Sequence, residues 1–228
     1  MVQIQLYLWS GLREQKKNQI KLYSDTFDKA LALFNNIDEE AQRYGHEIFQ
    51  QYGYGNPDAD PADGADLARE VSLDYYLNMC LMRYNSIAMW ITMLCQYWEQ
   101  QLRDFLYQEI SHDAFITKDD FCNDFGEVKD AFTEFGIHLE SFTDWRTIKE
   151  LRFICNALKH GEGGSLKRLY KLNPLLFCDG YDPSFSTPYS LTTLHEQRLK
   201  LDESLFHRYA ETLIGFWDWM PERSYLKD

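Results

Sequence analysis

Apolar residues recur at three- and four-residue intervals over most of this chain, which is the spacing of one helix face turned toward a core. From Ser24 onward, Phe27, Leu31, Phe34, Ile37, Ala41, Tyr44 and Ile48 form such a stripe, and it predicts a helix ending near Gly53 and Gly55. Residues 67–110 contain neither proline nor glycine and predict a longer helix. As one straight rod this helix would reach about 66 Å at 1.5 Å per residue, so a bend near 78–85 is expected. Its middle, residues 87–98, is apolar nearly all round and belongs at the centre of a bundle. Thr117 to Asp120 reads as a loose capping box. The helix it starts carries Phe121, Phe125, Val128, Phe132 and Phe135 on one stripe and stops at Gly136. A further helix spans residues 143–161, with capping oxygens from Ser141, Thr143 and Asp144 and a glycine stop at Gly161. Ser165 is placed to cap a short basic helix, SLKRLYKL, halted by Pro174. The last helix, 202–220, turns Leu205, Tyr209, Leu213, Phe216 and Trp217 inward.

The stretches between these helices are less patterned. Residues 1–22 are ambiguous, the first nine fitting strand or helix; 53–66 form an acidic connector; 173–190, with Pro174, Pro183 and Pro188, are irregular yet too aromatic for a free linker. No internal repeat and no alternating strand pattern of any length stands out. The expected fold is a single all-α domain over residues 1–228, an antiparallel bundle of four to five long helices with an irregular wrapped segment before the last.

Composition narrows the function classes. A net charge of −13 argues against indiscriminate binding of nucleic acid or anionic membrane by the whole surface. That charge is uneven, because residues 146–171 hold seven Lys/Arg against two Asp/Glu, while the remainder holds 16 against 34. A basic strip on an acidic body fits a confined anion site, and it equally fits a dipole-matched helix end followed by a basic turn. The five cysteines are scattered and include no CxxC pair, so neither zinc nor a disulfide framework is signalled, and a reducing, cytoplasmic compartment is expected. The N-terminal residues do not read as a signal peptide. The most apolar stretch, 87–98, is too short for a membrane span of about 20 residues. Asp58, Asp60, Asp63 and Gly64 imitate a calcium loop, but Pro61 interrupts it and Arg69 stands where the bidentate acid belongs. Asp119, Asp120 and Asp124 read as first-turn acids, and GEGGS lacks the ending of a phosphate-cradling loop. No cofactor is expected.

The chemistry concentrates on the helix at 143–161. At about 100° per residue, Ile148, Leu151, Ile154, Cys155 and Leu158 share one arc, and Lys149, Arg152, Asn156 and His160 share another more than a right angle away. One reading of the polar row is a solvated face with cations near the negative end of the helix dipole. The other is a site in which His160 moves a proton while Arg152 or Lys159 holds an anion.

The run LRFICNALKHG resembles the motif helix of the HEPN superfamily, all-α proteins that are often metal-independent ribonucleases. That motif is an arginine, commonly followed by a polar residue such as asparagine, then a histidine after four to six intervening positions. Asn156 and His160 match the polar residue and the histidine; Cys155 occupies the arginine slot, and Arg152 lies one turn earlier. The resemblance implies a homodimer whose two motif helices face each other across a two-fold axis and cut RNA by attack of the 2′-hydroxyl. His160 would then be acid or base, Asn156 would position phosphate or imidazole, and Arg152 would replace the missing arginine. Lys149 and Lys159 are further phosphate contacts. Toxin or anti-phage roles and a neutralising or effector protein partner are implied with it. The alternative is a HEPN-like module that no longer cuts and binds a nucleotide, RNA or a protein. A third is a purely structural interaction protein.

Overall fold

The computed structural model describes residues 4–54, 58–117, 121–161, 163–180 and 197–227. Among them are seven α-helices and one two-stranded sheet. The helices are α1 (Ser10–Leu31), α2 (Ile37–Gln51), α3 (Pro61–Ser111), α4 (Phe125–Glu134), α5 (Trp145–His160), α6 (Gly164–Leu172) and α7 (Glu203–Trp219). The fold is all-α, as the periodicity predicts. Its one sheet joins the two ends of the chain: β1 (Gln5–Tyr7) runs antiparallel to β2 (Arg223–Tyr225), with Leu6 opposite Ser224.

Several boundaries differ from the expected ones for local reasons. The first helix begins at Ser10 rather than Ser24, because Ile20 is buried and Lys16 lies inward among polar neighbours that dilute the stripe. It then breaks at a 3-10 turn, Ala32–Phe34, just before Asn35 and Asn36, so the expected single helix is two. Asparagine side chains compete for backbone hydrogen bonds and favour such breaks. Pro61, read as interrupting an acidic loop, is the first residue of α3, and the Asp60 carboxylate accepts from Ala62 N at 2.8 Å. Proline is well suited to that position, where no amide donor is needed. Helix α3 runs unbroken for 51 residues. The expected capping box at Thr117–Asp120 does not start α4; residues 118–120 lie outside the described part, and the helix opens at Phe125. There Asp124 accepts from Glu127 N at 3.0 Å while Glu127 accepts from Asn123 N at 2.6 Å, a reciprocal cap. Ser165 lies inside α6, whose N-cap is Gly163, and Asp144 heads α5 with no side-chain cap bond. Of the irregular segment, residues 173–180 are described: a 3-10 turn at Pro174–Leu176 and a bridge from Phe177 to Leu199.

Helix α3 divides the molecule. From Tyr84 onward its face of Ile87, Ile91, Leu94, Trp98, Leu102 and Phe105 is buried under α1, α5 and α7. Aromatic pairs fill this centre: Phe27 stacks on Phe206 at 3.8 Å, and Trp98 meets Phe216 edge-on at 5.1 Å. Gln101 is the polar knot of the core, with Nε2 donating to Lys16 O and Gln19 Oε1 while its Oε1 accepts from Trp217 Nε1. Before Tyr84, α3 is covered mainly by α2. Gly45 brings the two backbones together beside Ala68 and Ser72, and Ser72 Oγ donates to Ala41 O at 2.8 Å. Ile37, Ala41 and Ala68 are buried in this hairpin, separate from the main core, and Leu73 and Leu77 stay exposed.

Candidate functional site

The polar face of α5 is fixed by what its other face buries. Ile148, Leu151, Ile154 and Cys155 are in the core as their arc predicts, and Leu158 is half-buried at its edge. Cys155 therefore packs; it does not stand in the open place that an arginine of the motif would take. The helix ends at Gly161, whose φ of 68° and ψ of −152° suit glycine alone.

Lys149, Lys159 and His160 are exposed, and Asn156 is half-buried beside them. Arg152 is turned differently. Its Nε donates to Glu99 Oε1 of α3 at 2.6 Å, and its guanidinium lies 3.7 Å from the centre of the Phe125 ring at the start of α4. The Arg152 and Glu99 side chains are 27% and 29% exposed, so the pair is partly withdrawn from water and its charges largely cancel. The expected row is thus split. Arg152 belongs to an α3–α4–α5 junction, while Asn156, Lys159 and His160 form the open C-terminal end of α5.

Beside that end, two adjoining cavities of about 430 and 350 Å3 run along α3 and share Met93, Gln96 and Lys159. One continues past Tyr97 to Tyr23 on α1; the other is closed by Met89 and Leu158. Tyr23 and Tyr97 stack at 5.8 Å with an interplanar angle of 11°. Burial pushes the Tyr23 phenol up to about 12, and its hydroxyl, like Asn85 Oδ1 in the adjoining cavity, has no partner in the structure. The groove therefore combines an aromatic ring, side-chain amides, the Glu99 carboxylate and a lysine ammonium.

Three groups escaped the sequence reading. Glu99 is one, since nothing local links it to an arginine 53 positions later. Glu150 is another: its carboxylate, 6% exposed, accepts from Tyr209 Oη at 2.7 Å, from Asn173 Nδ2 at 2.8 Å and from Arg208. Burial, with this carboxylate beside it, pushes the Tyr209 phenol far above its ordinary range. The network locks α5 to α7 on the side away from the groove. Cys95 is the third, buried on α3 where Cys155 of α5 packs against the carbonyl of Thr92, three residues before it.

Among the described residues no cluster of three or more His, Cys, Asp or Glu is placed to hold a metal, and no helix is long and apolar enough to cross a membrane. Compared with known proteins, the chain matches no family model, no curated protein and no solved structure.

Proposed function

We propose that this chain is a HEPN-like helical module that binds RNA or a nucleotide at the C-terminal end of α5 and does not cut it. The carrying observation is that Arg152, the one arginine near enough to replace that of the motif, is neutralised by Glu99, while Cys155 fills the motif position itself and faces the core. A phosphoryl transition state needs fixed, uncompensated donors. With Arg152 engaged, Lys159 is left to meet a phosphate as a point charge, which favours binding over catalysis. The adjoining groove supports a nucleotide ligand, because Tyr97 offers a ring face and Gln96 an amide for a base edge.

The second reading is a metal-independent endoribonuclease acting from a homodimer. It is favoured by Asn156 and His160, which share the outward arc of α5 as a composite cleft would require. Total RNA incubated with the purified protein in EDTA separates the two. Under the binding reading RNA is retained and stays intact, and His160→Ala leaves binding nearly unchanged. RNA cleavage that persists in EDTA and is lost in His160→Ala would replace the binding reading with the nuclease. A micromolar solution mass equal to one chain counts against the composite cleft.

A further inference from the structure

We propose that Cys95 of α3 and Cys155 of α5 form an oxidisable dithiol, which a hydroperoxide converts to a disulfide joining the two helices beneath the polar end of α5. Of the five cysteines these two alone are buried, at 1% and 3% exposure, and they lie on facing helices. Cys155 Sγ is 3.8 Å from Thr92 O. In a helix the side chain of residue i+3 leans back over the carbonyl of residue i, so a sulfur against Thr92 O is also beside the Cys95 side chain. The two side chains accordingly lie close enough for each to perturb the other's ionisation. Cys80, Cys122 and Cys178 are each partly exposed, and Cys178 Sγ is occupied with Gln197 O at 3.0 Å.

The surroundings give the two sulfurs different roles. Cys155 is the outer one. It contacts the Lys159 side chain, and Thr92 and Lys159 both border the groove that opens to solvent. The hydrogen bond from Cys95 and the Lys159 charge hold the Cys155 thiol below its ordinary range. The same contact, together with burial, pushes the Cys95 thiol up. A thiolate is the nucleophile in thiol chemistry, so Cys155 attacks first. Its sulfur takes the nearer oxygen of the hydroperoxide ROOH as the O–O bond breaks. The thiol proton passes to the leaving alkoxide, giving ROH and a sulfenic acid on Cys155. The Cys95 sulfur then displaces that oxygen as water, the S–S bond closing as its own proton leaves with the hydroxide. One hydroperoxide is thereby reduced to ROH and water, and two thiols are oxidised to one disulfide. The inner sulfur sits where a sulfenic acid must be resolved before further oxidation.

The test is oxidation of the folded protein by hydrogen peroxide, on a Cys80→Ser/Cys122→Ser/Cys178→Ser variant that leaves the core intact and on the parent chain. The expected result is an intact mass lighter by two hydrogens, and a non-reducing digest joining the Cys95 peptide to the Cys155 peptide, reversed by dithiothreitol. Cys95→Ala should instead accumulate a sulfenic acid on Cys155 that dimedone traps. The proposal is overturned if peroxide sufficient to oxidise Cys80 in the folded parent leaves Cys95 and Cys155 as free thiols. It is equally overturned if the joined peptide forms only after unfolding in urea. Because the readout is covalent, it stands apart from whether RNA binds.

Discussion

Replacing Glu99 by glutamine separates the two demands on Arg152, because it should weaken the fold and strengthen the site. Glutamine keeps the length of the side chain and can still accept from Arg152 Nε, and the guanidinium keeps its place over the Phe125 ring. The Coulomb part of the pair is lost. With both side chains a little over a quarter exposed, that part is screened, and the expected loss is about 1 kcal/mol, at the upper end for accessible pairs. For an anion at the α5 face the sign reverses. Removing one negative charge about 7 Å from a phosphate gains about 0.6–1.2 kcal/mol at an effective dielectric of 80 to 40. That is roughly a three- to eight-fold tighter Kd, by the tenfold-per-1.4 kcal/mol relation. The gain should be largest at low salt and fade near physiological ionic strength, where the Debye length is about 8 Å. Fluorescence anisotropy with a short single-stranded RNA, read at two salt concentrations beside a urea titration, measures both effects. Glu211→Gln on the exposed side of α7 makes the same change in net charge away from the groove. If Glu99→Gln and Glu211→Gln bind alike, or if Glu99→Gln binds more weakly, Glu99 does not lie near the bound phosphate and the reasoning fails.

Three further outcomes are expected. Glu150→Ala strands the Tyr209 hydroxyl and the Asn173 amide and leaves the half-exposed Arg208 guanidinium to water; it should cost about 1–3 kcal/mol, seen as a lower urea midpoint at constant slope, with Glu150→Gln costing clearly less. Gly45→Ala would place a Cβ 2.8 Å from Ala68 O and 2.9 Å from Ser72 Cβ; overpacking against backbone should cost about 1–3 kcal/mol, with hydrogen exchange accelerated in α2 and not in α7. Gly161→Ala meets nothing within 4 Å, so its cost of about 1–3 kcal/mol comes from backbone strain alone, and Gly161→Asn should recover less than it would at an ordinary left-handed position; a melting temperature unchanged by the alanine would contradict this.

Helices that bury a continuous stripe were legible from sequence: α7 buries the five residues its spacing picks out, and α4 buries Phe125, Val128 and Phe132, with Phe135 buried at its C-cap and Phe121 half-buried before its start. Boundaries were legible only where the turn residue acted locally, as at Gly161. The start of α3 falls earlier than the expected residue 67, because Pro61 sits in an acidic stretch that reads as a connector while proline is favoured at a helix's first position. The first half of α1 was hidden for another reason. Lys16 is inward on the stripe, its burial lowering the ammonium against the pull of Asp104. A lysine can bury its methylenes along apolar surface, and a pattern of residue types does not reveal when it does. The sheet was invisible because three residues cannot show an alternation, and its partner strand lies at the other end of the chain.

The α5 site follows the same division. Which residues face outward and which face the core follows from helical angle alone, and Cys155 was placed inward on that ground. What the outward residues do depends on neighbours brought by other helices, and those have no local signature. Arg152 and His160 sit on one polar arc in sequence terms, yet one is drawn to Glu99 and Phe125 while the other stays at the open end of the helix. The cysteine carries the more general consequence. At a surface position it would simply stand where the proposed HEPN-like reading expects an arginine. Buried against Cys95, with Lys159 one turn beyond, it occupies a place where an arginine would need an uncompensated charge inside the α3–α5 interface. Restoring the motif by Cys155→Arg should therefore destabilise the chain before it could restore any chemistry. A variant that folds normally and gains EDTA-resistant cleavage would show that α5 can rotate this position outward, and the division between its two faces would have to be redrawn.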